Sequence, residues 1–108
     1  MVEEILPADL AARLQKAPGA LLLLDVREDY ERAAAAIEPS VHIPMQQVPD
    51  RLDELPRNRA IVVYCHTGVR SAMVAGYLEQ EGFAHVASLG GGIDAWSREV
   101  DPEVPRYF

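Results

Sequence analysis

With 108 residues, 49% of them hydrophobic and 25% charged, the chain can bury a single hydrophobic core and has the composition of an ordinary globular domain. A net charge of −7 speaks against nucleic acid as a partner, because phosphate binding needs a basic face. One cysteine forbids an internal disulfide, no apolar run nears the roughly 20 residues of a membrane span, and residues 1–5 lack the basic and apolar regions of a secretion signal; one cytoplasmic domain over residues 1–108, with no membrane partner, is the expectation.

Pro7-Ala8-Asp9-Leu10 opens a predicted helix that runs to Lys16, with Leu10 and Leu14 four apart on one face, and Pro18-Gly19 ends it. Leu21 to Leu24 are four consecutive apolar residues leading into Asp25-Val26-Arg27, the pattern of a strand buried on both faces. A helix is predicted over Glu28 to Ala36, then a short extended piece, Val41-His42-Ile43, stopped by Pro44. Pro49 to Leu55 suggests a small helix with Leu52 and Leu55 inward. Ile61 to Tyr64 is the clearest strand. The helix after it reaches about Glu81, with Met73 above Tyr77 and Val74 above Leu78, and Gly82 stands where a C′ glycine belongs. Val86 to Leu89 is a further strand, Gly90-Gly91-Gly92 a turn, and Ile93 to Val100 a helix carrying Trp96; Pro102 and Pro105 stop its continuation. Short apolar strands alternating with helices imply an α/β fold, a parallel sheet covered on both faces, whose ligands bind beyond the carboxyl ends of the strands.

Cys65 falls at such an end. It closes the run Ile61-Val62-Val63-Tyr64 and opens the loop Cys65-His66-Thr67-Gly68-Val69-Arg70-Ser71. A free thiol titrates near 8.5 and only the thiolate is nucleophilic, so a reactive cysteine needs help to ionise. Successive backbone N–H groups curling round one point supply it, Gly68 allows so tight a curl, and a helix beginning near Ser71 adds its dipole. Small, polar and glycine neighbours are wrong for an inert core cysteine, so Cys65 is expected to be a nucleophile, with Arg70 presenting a planar donor fork to an anionic substrate. Residues 55–78 contain no Asp or Glu, although a proportional share of the chain's 17 acids would be about four; this window contains Arg57, Arg59, His66 and Arg70 and suggests surroundings hospitable to anions. His66 is expected to be an exposed loop residue, with general acid or base duty as the other reading. His42 and His85 lie outside the loop, and one cysteine with three scattered histidines has no metal-ligand spacing. Gly90-Gly91-Gly92 lacks the full phosphate-binding fingerprint, so no cofactor is implied.

Four blocks together resemble the rhodanese family of sulfurtransferases: Leu24-Asp25-Val26-Arg27, Ile43-Pro44, Val62-Val63-Tyr64-Cys65 with Gly68 and Arg70-Ser71, and Gly91-Gly92-Ile93 with Ala95-Trp96. The resemblance implies a rhodanese-like, five-stranded, mostly parallel sheet with helices on both faces. It also implies a thiosulfate sulfurtransferase in which Cys65 accepts a sulfane sulfur as a persulfide and His66, Thr67, Gly68, Val69 and Arg70 surround the substrate. The donor would be a small sulfur anion, the acceptor cyanide, a thiol or a sulfur-acceptor protein. One block departs: the family's common G-H-I-P-G-A is here Ala35-Ala36-Ile37-Glu38-Pro39-Ser40. The ending from Val100 to Tyr107 is similar to rhodanese domains appended to enzymes that activate ubiquitin-like proteins in molybdopterin and thiamine sulfur supply. Two rival readings use the same cysteine. Cysteine phosphatases and arsenate reductases usually place five residues between Cys and Arg, where this chain has the four from His66 to Val69. A sulfur carrier or partner-binding module would load Cys65 without turning over.

Overall fold

Ile61 to Tyr64 offers no charged residue to either side, so the strand that holds it must be covered on both faces. The computed structural model, which describes residues 2–107, meets that requirement with a five-stranded sheet. In chain order the elements are β1 (Glu3–Ile5), α1 (Pro7–Lys16), β2 (Leu21–Asp25), α2 (Asp29–Ala34), β3 (Val41–His42), β4 (Ala60–Tyr64), α3 (Val69–Gln80), β5 (Val86–Leu89) and α4 (Gly92–Glu99), with 3₁₀ turns at Met45–Asp50 and Leu52–Glu54. The strands lie in the order β1-β5-β4-β2-β3 and every pairing is parallel.

Alternation along the strands sorts the core into two layers. On one face Leu24, Ile61, Val63 and Val86 pack with Val74, Ala75 and Leu78 of α3 and with Val48 and Leu55 of the connection before β4. On the other, Leu21, Leu23, Val62, Tyr64 and Leu89 pack with Leu10 of α1 and with Ile93 and Trp96 of α4. The predicted glycine stop of α3 is present: Gly82 takes φ +95°, its N–H reaches the Glu79 carbonyl at 3.1 Å, and Phe83 N–H reaches Leu78 at 3.1 Å. Phe83 and Leu78 both enter the core, which fixes where the chain turns toward β5.

Three elements differ from their sequence-based expectation. The edge strand β1 carries two exposed glutamates and one buried residue, Ile5, which gives no readable period; its strand character comes from pairing with β5, Ile5 opposite Leu89. α2 ends at Ala34, not Ala36, because Ala35 is extended (φ −166°, ψ 151°) and buries itself and then Ile37. The small helix expected over Pro49 to Leu55 is instead a pair of 3₁₀ turns that begins at Met45; Pro49 has no N–H for a regular ladder, while Leu55 still points into the core. The connection at Ala35 to Ser40, where the sequence departs from the family pattern, is held by side-chain hydrogen bonds. Ile37 N–H donates to the Tyr64 hydroxyl at 3.1 Å, and Arg32 donates to the Ser40 hydroxyl at 2.7 Å. Glu38–Pro39 is a cis peptide within this connection. Among the described residues no helix is long and apolar enough to cross a membrane.

Candidate active site

β4 delivers Cys65 to the carboxyl end of the sheet, and α3 begins four residues later at Val69. Gly68, at φ +107°, is the N-cap of α3, and this left-handed turn directs its N–H back to the cysteine sulfur at 3.1 Å. Ser71 N–H reaches the same Sγ at 3.4 Å, and the thiol donates to Ser71 Oγ at 3.4 Å. Behind them Ser71 Oγ and Ser88 Oγ are 2.8 Å apart. Two backbone N–H groups thus point at one sulfur, and the Ser71 hydroxyl accepts from its thiol.

The other side of the loop is held by α4. Ile93 N–H donates to the Cys65 carbonyl at 2.9 Å and Asp94 N–H to the His66 carbonyl at 3.1 Å. These are first-turn amides of a helix, which have no partner within it. So close an approach needs a bare backbone, since a Cβ on Gly92 would overlap the Cys65 and His66 carbonyls. Gly90 and Gly91 form the expected turn, Gly92 already opens α4, and the tightness of this junction lets α4 grip the thiol loop.

One expectation about the sulfur is corrected. Cys65 is only 1% exposed and belongs to the core layer under α3, despite its polar flanks, because the loop folds over it. Its polar neighbours include the N–H groups of Gly68 and Ser71, both aimed at the sulfur.

The expectation of an open Arg70 fork is also corrected. Arg70 Nη1 and Nη2 donate to Glu31 Oε1 and Oε2 at 2.7 and 2.9 Å, so both prongs are engaged. The Arg70 bonds, with Glu28 N–H and Tyr107 in support, pull the Glu31 carboxyl down to about 2 against burial. Tyr107 donates to Glu31 Oε2 at 2.7 Å and accepts from Arg27 Nη1 at 3.0 Å; burial pushes this phenol up to about 12. Arg27 is fully buried, with Nε and Nη2 on Asp25 at 2.9 and 2.8 Å and a carbonyl bond to Ala35 at 2.6 Å. Burial would raise the Asp25 carboxyl, but the Arg27 bonds outweigh it and lower the group overall. The acid-free window in sequence is therefore not acid-free in space, because α2 brings Glu31 to Arg70. Arg57 and Arg59 do not approach the thiol loop. They precede β4 at the opposite end of the strand, Arg57 on the Glu81 carbonyl and the Phe83 ring, Arg59 on the Leu21 carbonyl.

Of the remaining loop residues, Thr67 and Val69 are exposed, Val69 by 68%, and His66 is half-buried with its ring stacked on Tyr107, centroids 4.2 Å apart. His42 bonds the Arg27 carbonyl at 2.7 Å and His85 is exposed. Among the described residues there is no group of side chains able to hold a metal ion. Sequence reasoning missed Glu31, Ser88 and Tyr107 as parts of the site. Ser88 could have been found as the one polar residue in the apolar run Val86 to Leu89; Tyr107 left no signal, since its partners lie 76 and 80 residues away. A cavity of about 360 Å³ between Leu14, Pro18, Leu22, Pro39 and Val41 contains no residue of the thiol loop.

The Rhodanese-like domain family matches residues 6–99. The chain is 39% identical to a sulfurtransferase of Allochromatium vinosum, over 96% of each protein, and 37% identical to the putative sulfurtransferase YtwF of Bacillus subtilis, over 94% of this chain and 97% of that one. It is 38% identical to the putative sulfur carrier protein YrkF of Bacillus subtilis, over 75% of this chain and 44% of that protein. A rhodanese-related protein from Thermoplasma volcanium superposes with a TM-score of 0.84 at 31% identity, over 97% of this chain and 99% of that one.

Proposed function

The chain belongs to the rhodanese-like domain family, and we propose that it transfers sulfane sulfur through a persulfide on Cys65. The observation that carries this reading is the convergence of Gly68 N–H, Ser71 N–H and the Ser71 hydroxyl on Cys65 Sγ. In the first half-reaction the Cys65 thiolate attacks the outer sulfur of thiosulfate or a persulfide donor. A new S–S bond forms, the donor's S–S bond breaks, and the electron pair leaves on sulfite or a thiolate. In the second, cyanide or an acceptor thiol attacks the outer sulfur, and the Cys65 thiolate departs with the bonding pair. This is covalent catalysis with ping-pong kinetics.

The recessed sulfur suits the scheme. The transferable atom is a second sulfur about 2 Å beyond Sγ, so Sγ itself stays in its amide cradle. Main-chain donors carry the charge, as in an oxyanion hole, and the engaged Arg70 braces the first turn of α3 instead of leading with a free fork. The exposed Thr67 and Val69 and the half-buried His66 would then border the incoming donor. A ring with four residues between Cys65 and Arg70 is one short of the usual phosphatase loop, which favours a single sulfur over a tetrahedral phosphate.

Thiosulfate treatment should add the mass of one sulfur atom to the protein, and cyanide should remove it with release of thiocyanate. In Cys65→Ala both should vanish while the circular dichroism stays native; a variant that still turned over would end the proposal. A second reading, a sulfur carrier for one partner protein, is favoured by the likeness to a putative sulfur carrier and by the depth of Sγ. Repeated turnover with a small thiol supports the enzyme; one stoichiometric sulfur released only to a protein acceptor supports the carrier.

A further inference from the structure

The family match stops at residue 99, yet the segment beyond α4 reaches the thiol loop. Its course is well anchored. Val100 and Asp101 N–H both return to the Trp96 carbonyl at 2.8 and 3.0 Å, Val104 N–H bonds the Asp101 carbonyl at 3.1 Å, and the Ser97 hydroxyl donates to the Val104 carbonyl. Arg106 pairs with Asp94 of α4 at 2.9 Å. The segment thereby doubles back and sets Tyr107 against three separate elements.

Two contacts of Tyr107 bear on the loop, and a third holds the side chain in place. Its ring lies on His66, the residue after the nucleophile, at 4.2 Å and 19°. Its hydroxyl donates to Glu31 Oε2 at 2.7 Å, and Glu31 clamps Arg70, the residue before Ser71. The same hydroxyl accepts from buried Arg27 at 3.0 Å, which fixes its height and the direction of its proton. One side chain therefore restrains both ends of the loop, His66 directly and Arg70 through Glu31. Between those ends lies Gly68, whose N–H must stay 3.1 Å from the sulfur.

We propose that Tyr107 is a positioning residue of the sulfur-transfer site, holding the two ends of the thiol loop at the spacing where the Gly68 and Ser71 amides meet Cys65 Sγ. The proposal rests on the reading of Cys65 as a sulfur-transfer nucleophile, and its test separates the two. Small displacements of a preorganised site are expensive in rate, so Tyr107→Ala should lower kcat/KM for thiosulfate, with cyanide as acceptor, about tenfold. Tyr107→Phe, which keeps the ring and loses the hydroxyl, should fall between Tyr107→Ala and wild type. A structural role alone would loosen the whole sheet, so hydrogen exchange is followed residue by residue in the same variants. In Tyr107→Ala the Gly68 and Ser71 amides should exchange at least about fivefold faster, while Val62 and Val63 of β4 stay unchanged. Unchanged exchange at Gly68, or an equal rise in β4, overturns the proposal, as does a Tyr107→Ala enzyme with wild-type kcat/KM. If Tyr107→Ala does not fold, Tyr107→Leu is read by the same criteria. Wild-type protein that takes up no sulfur from thiosulfate or from an alkyl persulfide would sink the function and leave exchange to decide on Tyr107.

Discussion

Two arginine–glutamate forks in this molecule have nearly the same geometry and different surroundings. Arg70 meets Glu31 at 2.7 and 2.9 Å; Arg51 meets Glu54 at 2.8 and 2.9 Å. The first joins residues 39 apart, and its glutamate side chain is 4% exposed; the second joins residues three apart, and its glutamate is 47% exposed. Water and salt screen the exposed fork, and its two flexible side chains lose entropy to hold one geometry. The buried fork is screened less, its carboxylate gains further bonds from Glu28 N–H and Tyr107, and it rests on the buried Asp25–Arg27 pair. Bond lengths alone do not rank the two; burial and neighbours do.

The comparison is broken most severely at its buried extreme. Asp25→Ala would leave Arg27, fully buried, without its ion-pair partner, and should cost about 3–5 kcal/mol in denaturant unfolding. Glu31→Gln should cost less, about 1–2 kcal/mol, because Arg70 is partly exposed and can turn to water. It should also lower sulfur-transfer activity by releasing the first turn of α3. The same fork sets a pH dependence. Glu31 is held at about 2 against an ordinary 4.5, so folding favours the ionised form. Its contribution is complete above the unfolded value and is lost as pH falls toward 2; the stability gap between wild type and Glu31→Gln should therefore close between about pH 5 and pH 2. A gap independent of pH would show that the charge of Glu31 does not act. The smallest effect belongs to Arg51→Ala, whose denaturation midpoint should match wild type; a clear loss there would erase the distinction between the forks.

The parts of the site visible in the sequence are those whose cause is local. Cys65 after four apolar residues, Gly68 three positions on, and the glycine turn before α4 each reflect a backbone requirement written within a few residues. Gly82 ended α3 as expected for the same reason. β1 was not legible, since two of its three residues are exposed glutamates and only pairing with β5 makes it a strand. The extent of α2 is not legible because Ala35 and Ala36 favour helix locally, while burial of Ala35 and Ile37 requires extended chain.

Short-range chemistry therefore determined, from the sequence by itself, where β2, β4 and β5 lie, that this inner part of the sheet is covered on both faces, and which atom stands at the carboxyl end of the central strand. Tertiary structure alone decided what surrounds that atom: that Arg70 is bound by Glu31, that Ser88 backs Ser71, and that Tyr107 spans both ends of the loop. The reason is physical. Apolar periodicity repeats along the chain and can be read from it, whereas a single polar contact across 39 or 76 residues has no period and is selected only when packing brings one of many possible partners within about 3 Å.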